Sequence, residues 1–273
     1  MKAAGVALVT GAGRGLGRAI ALELARVGFE TIAGLRDPSR GADLPELARA
    51  RGGRLRVEPL DLEAPDRIEI PDGLRVLVNN AGVDEAYLPV EHAPAALWRR
   101  MFETNLFGLV EVTRRAIPAL RASGGGVICN ITSASLFTAV PFYAAYRASK
   151  AAVSALGESL RTELAPFGIR VVEIAPGPID TDMLTASNRL PEAARHEGYA
   201  ELAEWLLRGR RGVASAITAP ERAAIAIARV ILDDDAPLRN ACDPLGEAQL
   251  ESWRTQRDED LLRAILAATR TAG

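Results

Sequence analysis

The sequence predicts an α/β fold, a doubly wound parallel sheet in a single domain with helices on both faces. Short runs rich in β-branched residues alternate with longer helical patterns as far as about residue 235. The strand runs are almost continuously apolar, which is typical of parallel strands that are covered on both faces. A glycine-rich segment directly follows the first strand run and opens the first helical pattern.

The predicted elements follow one another in a regular order. Six apolar runs predict strands at 6–10, 30–35, 54–60, 75–80, 126–132 and 170–176. Helical patterns occupy 15–27, 95–121 and 143–166, and a last strand is placed loosely near 238–243. Between the third and fourth strands, Pro65 and Pro71 bracket only five residues, so we predict a loop or a single turn where a helix would normally cross.

No internal repeat or low-complexity linker divides the chain, so we predict one domain over 1–273. Within it, 185–218 is predicted to form a substrate-loop region. Residues 248–273 are charged and amphipathic, and we predict a helical C-terminal tail that docks on the body or on a partner subunit.

Composition excludes several classes of function. Hydrophobic residues make up 48% of the 273 residues and the formal net charge is −2, so nothing favours nucleic acid or an anionic membrane as partner. No window approaches about 18 uninterrupted apolar residues, so a soluble cytoplasmic protein is expected. Cys129 and Cys242 are far apart in the sequence and form no cluster with metal-ligand spacing, so no metal site is predicted.

The segment "TGAGRGLG", Thr10 to Gly17, is the first motif with a chemical reading. Glycines between a strand and a helix permit a tight turn and a close approach of the backbone to a pyrophosphate at the helix N-terminus. The spacing here is G-x-x-x-G-x-G, so the segment alone predicts a phosphate site without fixing the ligand.

The end of the second strand, "GLRDPSR", bears on the choice of cofactor. Leu35 stands where an acidic residue would hold the ribose 2′-OH of NAD, and Arg36 follows it with a guanidinium that suits a 2′-phosphate. Arg14 is expected to approach the same phosphate from the glycine loop. The rival interpretation takes Asp37 as the acid, one position later. We predict NADP(H), with NAD(H) as the second choice.

Three further motifs follow predicted strands, at the edge where a doubly wound sheet binds its ligands. "VNNAG" (78–82) follows the fourth strand and "APGPIDTDM" the sixth. After the fifth strand, Ser133 in "NITSAS" is placed to hydrogen-bond a substrate carbonyl oxygen. Its neighbours Thr132 and Ser135 are equally able to act as caps.

The segment "FYAAYRASKAA" places Tyr146 and Lys150 one helical turn apart, with Tyr143 close to the same face. Taken alone, this spacing also suits an ordinary packing helix, and it does not choose between the two tyrosines.

Taken together and in order, T-G-x-x-x-G-x-G, N-N-A-G, a serine after the fifth strand, Y-x-x-x-K and P-G-x-x-x-T resemble the short-chain dehydrogenase/reductases of the single-domain type, over about residues 4–183. The resemblance implies a Rossmann-like sheet and puts the Y-x-x-x-K pair on Tyr146 and Lys150. Tyr143 is left as a candidate for the pocket wall.

The resemblance also implies roles for the site residues. Tyr146 would be the general acid/base, and the Lys150 ammonium would favour its phenolate and bind the nicotinamide ribose. Ser133 would hold the substrate oxygen, and Asn105 in "ETNLFG" would brace a proton-relay water. Together with Arg36, the implied cofactor-binding residues are Gly11, Arg14, Gly15, Leu16, Gly17, Asp61, Leu62, Asn80, Ala81, Gly82, Tyr146, Lys150, Pro176, Gly177, Ile179 and Thr181. Relatives commonly assemble through helices corresponding to 95–121 and 143–166, so a homodimer or homotetramer is expected.

The predicted function is that of an NADP(H)-dependent oxidoreductase that interconverts a secondary alcohol and a ketone, or reduces an aldehyde. The substrate is expected to be small and moderately apolar, because the pocket wall is predicted to contain Leu136, Phe137, Tyr143, Met183, Leu184 and part of 185–210 with Trp205. The alternative is a cofactor-binding sensor or scaffold without turnover. Such a protein would not need the proton-transfer residues Ser133, Tyr146, Lys150 and Asn105. A lyase or epimerase of this type would usually carry a larger substrate domain. The resemblance fades after residue 183, so it transfers no particular substrate.

Overall fold

The structure of the protein is a computed structural model, and it describes residues 1–64 and 67–270. The central sheet has seven parallel strands in the order β3-β2-β1-β4-β5-β6-β7. Their bounds are β1 Val6–Thr10, β2 Glu30–Leu35, β3 Arg54–Pro59, β4 Leu74–Asn79, β5 Gly126–Ile131, β6 Ile169–Ile174 and β7 Arg239–Asn240. The strand order reverses between β1 and β4, and this is the point at which an open α/β sheet forms a ligand crevice.

Among the described residues, the α-helices lie in the connections between the strands, except in the connection from β3 to β4, and the last two helices follow β7. In chain order they are α1 Gly15–Val27, α2 Leu44–Ala50, α3 Ala95–Phe102, α4 Leu109–Ala122, α5 Ala144–Leu164, α6 Asp182–Ser187, α7 Ala200–Gly212, α8 Pro220–Leu232, α9 Pro244–Thr255 and α10 Asp258–Arg270.

Two apolar clusters, one on each face, hold helices against the sheet. Ala7 and Val9 of β1 belong to the cluster that contains residues of α1, α2 and α8. Val6 and Leu8 belong to the other cluster, with residues of α4 and α5. Successive side chains of a strand point to opposite faces, so a strand that is apolar throughout serves both clusters. The predicted doubly wound fold is therefore confirmed.

The six predicted strands are confirmed to within two residues at each end. The predicted helix 95–121 is interrupted, because Glu103–Gly108 forms a π-helical segment between α3 and α4. Such segments are frequent at functional sites. The connection between β3 and β4 contains no α-helix in its described residues, although Pro65, on which that prediction partly rested, lies outside them.

The region 185–218 is largely ordered as helix. It contains the end of α6, a 3₁₀ turn at Glu192–Arg195 and the whole of α7. In the predicted tail, α9 docks on the body, because Trp253 packs against Phe137 with ring centroids 5.3 Å apart. Among the described residues, no helix has both the length and the apolar character needed to cross a membrane.

Candidate active site

A cavity of about 1020 Å³ opens at the carboxyl ends of the strands, between the loops that follow β1, β2, β4, β5 and β6. Every predicted catalytic or cofactor-binding residue lines it except Asn105. The topology therefore brings together residues that are up to 170 positions apart in the chain, from Gly11 to Thr181.

The glycine-rich turn forms one end of this cavity. Gly11 adopts a φ of +67°, and a Cβ there would lie 2.8 Å from the Cα of Ala81. A Cβ on Gly17 would lie 2.6 Å from the carbonyl oxygen of Gly11. Only glycine fits at either position, and α1 begins at Gly15 within the same turn. Backbone N–H groups at this helix N-terminus suit a phosphate.

Thr10 joins the turn to the loop after β4, a role that the sequence analysis missed. Its Oγ1 accepts hydrogen bonds from the backbone N–H groups of Asn80 and Ala81, both at 3.0 Å. The Asn80 side chain donates back to the Thr10 carbonyl at 3.0 Å. Thr10 and Asn80 thus hold the glycine-rich turn after β1 against the loop after β4. These hydrogen bonds are called the Thr10 lock below.

The loop after β2 presents cations to the cavity. Arg36 lines the cavity and is exposed, as is Arg40, which the sequence analysis did not single out. The rival acid Asp37 caps the turn Pro38–Gly41, accepting from the backbone N–H of Ser39 at 3.1 Å and from its hydroxyl at 2.7 Å. These bonds hold the pKa of the Asp37 carboxyl below its usual range.

Arg14 is oriented differently from the sequence expectation. It lines the cavity, but its Nη1 donates to Asp182 Oδ2 at 2.7 Å, in a pair whose two side chains are both exposed. The pairing directs the guanidinium to the start of α6, so the expected approach to a phosphate near Arg36 is not what this structure shows.

Ser133 and Tyr146 meet near the end of β5. Burial raises the pKa of the Tyr146 phenol, and the nearby Ser133 side chain partly opposes that rise. Ser133 Oγ accepts from the backbone N–H of Ser135 at 3.2 Å, which leaves its own proton available to donate. The neighbouring Thr132 hydroxyl turns away and donates to Glu173 at 2.9 Å. Ser133 itself caps the short turn Ala134–Leu136, and all three hydroxyl residues line the cavity, so Ser133 as the substrate-binding serine stays a prediction.

Lys150 lies one turn along α5 from Tyr146 and is almost completely buried. Its Nζ donates to the Ile131 carbonyl at 2.8 Å and lies 5.9 Å from the centre of the Tyr146 ring. Burial lowers the pKa of Lys150 to about 8, and the negative charge of Asp84 acts in the opposite direction.

The Tyr146 phenol differs from the sequence expectation, which placed a favoured phenolate beside an ammonium. Burial raises the pKa of Tyr146, the charge of Asp84 raises it further, and the nearby Ser133 side chain opposes both. The ammonium of Lys150 is engaged by a backbone carbonyl instead of the phenol. Tyr146 is therefore held in its protonated form, which can donate a proton.

Asn105 lies behind the cavity, inside the π-helical segment, with its side chain completely buried. Its amide holds the backbone of Val83 through bonds of 2.8 Å and 3.0 Å and donates to Ser149 Oγ at 3.0 Å. It thereby fixes the loop after β4 against α5, the helix that carries Tyr146 and Lys150.

The loop after β6 is held by Asp243, a residue without a motif in the sequence. Asp243 caps α9 by accepting from the Gly246 N–H at 2.9 Å, and its second oxygen accepts from the Gly177 N–H at 2.7 Å. Asp243 followed by a proline at a helix start does signal a cap, but nothing in the sequence links it to Gly177.

The predicted pocket wall is partly wrong. Tyr143, Met183, Leu184 and Trp205 line the cavity, whereas Leu136 and Phe137 do not. Both belong to an apolar cluster with α9, where Phe137 packs against Trp253. Two charged residues that the sequence analysis missed, Asp84 and Arg210, line the cavity with them.

Curated proteins of known sequence resemble the chain over about two thirds of its length. It is 37% identical over 191 residues to the uncharacterized oxidoreductase YusZ of Bacillus subtilis (strain 168), covering 67% of this chain and 68% of that protein. It is 34% identical over 207 residues to sulfoacetaldehyde reductase 2 of Chromohalobacter salexigens, covering 72% and 81%. For estradiol 17-beta-dehydrogenase 2 of Rattus norvegicus the identity is 37%, over 65% of this chain and only 49% of that enzyme.

Solved structures resemble the chain over nearly its whole length. A short chain dehydrogenase from Burkholderia cenocepacia J2315 in complex with NADP has a TM-score of 0.73 and 28% identity, covering 97% of this chain and 99% of that one. A short chain dehydrogenase/reductase from Burkholderia phymatum in complex with NAD has a TM-score of 0.75, covering 96% of each chain, but at 23% identity it shows the fold alone.

The model of one protein family, short chain dehydrogenase, matches residues 5–191, which is more than half of the chain. The seven-stranded parallel sheet and the cavity at its carboxyl edge agree with that match. The chain belongs to the short-chain dehydrogenase family of oxidoreductases.

Proposed function

We propose that this protein is an NADP(H)-dependent oxidoreductase that interconverts a secondary alcohol and a ketone, or reduces an aldehyde, with Tyr146 as general acid/base. One observation carries the proposal. Tyr146, Ser133 and Lys150 lie in the same cavity as the glycine-rich turn at the start of α1, so proton-transfer groups and a phosphate site share one chamber.

The residues present fit a nicotinamide dinucleotide. The turn from Gly11 to Gly17 offers backbone N–H groups without side chains to the pyrophosphate, and the Thr10 lock holds the loop Asn80–Gly82 beside it for a ribose. We assign Asp61 and Leu62, which line the cavity, to the adenine, and the loop containing Gly177 and Thr181 to the carboxamide. When bound, the cofactor supplies or accepts the hydride.

The side chains of this protein would move the proton. In reduction, the substrate oxygen accepts hydrogen bonds from Ser133 and from the phenol of Tyr146, which burial keeps protonated. Tyr146 gives up its proton as the oxygen gains negative charge, and the buried positive charge of Lys150 stabilises the phenolate that forms. Oxidation reverses these steps. Asn105 is a positioning residue, because it fixes the loop that faces Lys150.

The choice of the phosphorylated cofactor rests on the loop after β2. Arg36 and Arg40 offer two exposed guanidinium groups, Leu35 occupies the place of the usual acid, and Asp37 is engaged in capping. Of the solved neighbours, the Burkholderia cenocepacia protein holds NADP and the Burkholderia phymatum protein NAD, so the proposed choice depends on this loop.

Replacement of the two arginines tests this choice. A charge-assisted bond to a phosphate contributes about 1.5–3 kcal/mol, so Arg36→Ala should raise the KM for NADPH about 10- to 100-fold and leave that for NADH almost unchanged. Arg40→Ala should act in the same direction. Arg49→Ala, on the exposed side of α2, serves as the control. A wild-type protein that works with NADH alone would contradict the cofactor assignment and leave the reaction class standing.

We further propose that the chain works as one domain in the cytoplasm, as a homodimer or homotetramer that assembles through α3, α4 and α5. Phe107, in the segment between α3 and α4, is 54% exposed and would be covered in such an assembly. Light scattering on the purified protein gives the assembly state, and Phe107→Asp should shift it towards the monomer.

A further inference from the structure

A guanidinium group forms part of the substrate end of the cavity, where the sequence predicted only apolar and aromatic side chains. Arg210, in the last turn of α7, lines the cavity and is half-buried. It donates to the carbonyl of Ser187 and to the hydroxyl of Tyr143. Its guanidinium lies over two aromatic rings, 4.7 Å from the centre of Tyr87 and 5.0 Å from the centre of Tyr143.

Arg210 forms no salt bridge in the part of the chain that the structure describes, although its charge acts on Asp84 at longer range. Among the described residues no carboxylate lies within 4.0 Å of its nitrogens, whereas the neighbouring Arg208 pairs with Glu204 at 3.7 Å. Two of the five guanidinium N–H donors bond to neutral oxygens, so donors remain for a ligand. Stacking on aromatic rings holds the planar group in place before any ligand arrives.

The balance of charge at this end of the cavity favours an anion. Lys150 and Arg210 contribute positive charge, and Asp84 opposes them as the acidic residue that acts on Lys150. Asp182 also lines the cavity, but its carboxylate is paired with Arg14. One carboxylate oxygen of Asp84, Oδ2, already accepts a hydrogen bond from the Tyr87 hydroxyl at 2.7 Å. A cationic ligand would meet two like charges, and an anionic one would find a net attraction.

The two tyrosines under Arg210 are held by strained backbone. Ala86 and Phe142 are the two non-glycine residues with positive φ in the described chain, at 43° and 67°, and each directly precedes one of these tyrosines. Such a conformation costs about 1–2 kcal/mol per residue. The rings of Tyr87 and Tyr143 stack 4.7 Å apart as a result of this placement. Strain that is kept beside a cavity points to a wall built for a ligand.

We propose that Arg210 binds a carboxylate of the substrate, so that the substrate class is an oxo- or hydroxycarboxylic acid. The inference rests on the proposed function and deepens it. Tyr143 neighbours both groups, with its ring centre 5.0 Å from the guanidinium carbon and 6.1 Å from the centre of the Tyr146 ring, so a small substrate can reach Arg210 and Tyr146 together. A planar carboxylate also matches the fork of donors that a guanidinium offers.

A purely structural role for Arg210 is the competing explanation. Its bonds to Ser187 and Tyr143 tie α7 to the wall, so its loss would loosen the cavity for every substrate. Anion recognition instead affects acids and spares their neutral counterparts. The ratio of the two activities therefore separates the explanations.

The test compares acetoacetate and levulinate with their methyl esters in the wild type, Arg210→Met, Arg210→Lys and the control Arg211→Met, at saturating cofactor. Arg211 follows Arg210 on the same helix and is exposed. We expect the wild type to prefer the acids, and Arg210→Met to lower the acid-to-ester ratio of kcat/KM by about 10- to 100-fold. Arg210→Lys should restore part of it, and Arg211→Met should leave the ratio within twofold.

An equal loss for acids and esters in Arg210→Met would assign the residue to structure and overturn the proposal, as would a wild type that prefers the esters. Calorimetric titration of the cofactor-loaded protein with levulinate gives a readout that needs no turnover. Saturable binding of levulinate, absent for its methyl ester and lost in Arg210→Met, supports the anion site even if no ketone is reduced, in which case the proposed reaction fails separately. No binding of levulinate and no turnover of either acid would contradict the anion site itself.

Discussion

The two ends of the cavity are built in different ways. The cofactor end consists mainly of backbone: the glycine-rich turn, the loop after β4 that Thr10 holds, and the loop after β6 that Asp243 holds. The substrate end consists of side chains from separate elements, with Asp84 after β4, Tyr143 before α5 and Arg210 at the end of α7.

This difference explains why the residues of the cofactor end could be predicted from the sequence more fully than those of the substrate end. A backbone that must approach another backbone excludes a Cβ, as at Gly11 and Gly17, and thereby leaves glycines at fixed spacing. A side-chain wall imposes no spacing, because any residue that reaches the cavity can contribute to it. We therefore expect a change at a close-approach glycine of the cofactor end to act through space for the backbone, and a change at the substrate end to act through the chemistry of one side chain.

The largest expected effect separates two tyrosines of the substrate end that lie 6.1 Å apart. Tyr146→Phe should lower kcat by about 10²- to 10⁴-fold, the usual contribution of a general acid, while cofactor binding is kept. Tyr143→Phe should retain far more turnover, because that hydroxyl serves the wall. Steady-state rates and a cofactor titration for each variant measure the difference, and a greater loss of kcat in Tyr143→Phe would reverse the assignment.

The next effect belongs to the cofactor end. Gly17→Ala would put a Cβ 2.6 Å from the Gly11 carbonyl oxygen, so the turn must shift. Overpacking of this kind costs about 1–3 kcal/mol, and we expect the loss in the affinity for cofactor, in the free energy of unfolding, or in both. Gly212→Ala meets no atom within 4 Å and should change either quantity by less than about 0.5 kcal/mol. Equal behaviour of the two variants in calorimetry and denaturant unfolding would remove the close-approach argument.

The smallest expected effect is a pH dependence that joins the two ends through Lys150. Its pKa in the folded protein is lowered to about 8, so the required ammonium is present below that pH and is lost as the pH rises through it. The kcat/KM for cofactor, which reports the free enzyme, should therefore fall above about pH 8.

Asp84 raises the pKa of Lys150, so Asp84→Asn should move this fall to lower pH. Glu85→Gln, at the neighbouring exposed residue that pairs with Arg100, provides the matched control and should leave the profile in place. A wild-type profile that is flat between pH 7 and pH 10, or an Asp84→Asn profile shifted upwards, would contradict the assignment of the titrating group.

The sequence predicted the sheet well because its strands are apolar on both faces and its turns are marked by glycine. It brought Ser133, Tyr146 and Lys150 together only through the resemblance to a family, because the spacing alone did not choose between Tyr143 and Tyr146. It did not predict the π-helical segment around Asn105, since the residues of 95–121 read as continuous helix. It also missed Arg40, Asp243 and Arg210, whose contacts join positions far apart in the chain. It misplaced Leu136 and Phe137, because the predicted docking of the tail did not say which residues α9 would cover.

The most direct test of the proposed oxidoreductase activity follows the transferred hydride itself. Purified wild-type protein is mixed with NADPH that carries deuterium at the transferable position and with a panel of ketones, aldehydes and oxo acids, and products are read by mass spectrometry while absorbance is followed at 340 nm. If the protein transfers a hydride with Tyr146 as general acid, we expect the absorbance at 340 nm to fall and deuterium to appear on the carbinol carbon of at least one product. Neither signal is expected in Tyr146→Phe. Tight binding of NADPH by the wild type with no deuterated product from any member of the panel would contradict the proposed activity, and would favour a sensor or scaffold that binds the cofactor without turnover.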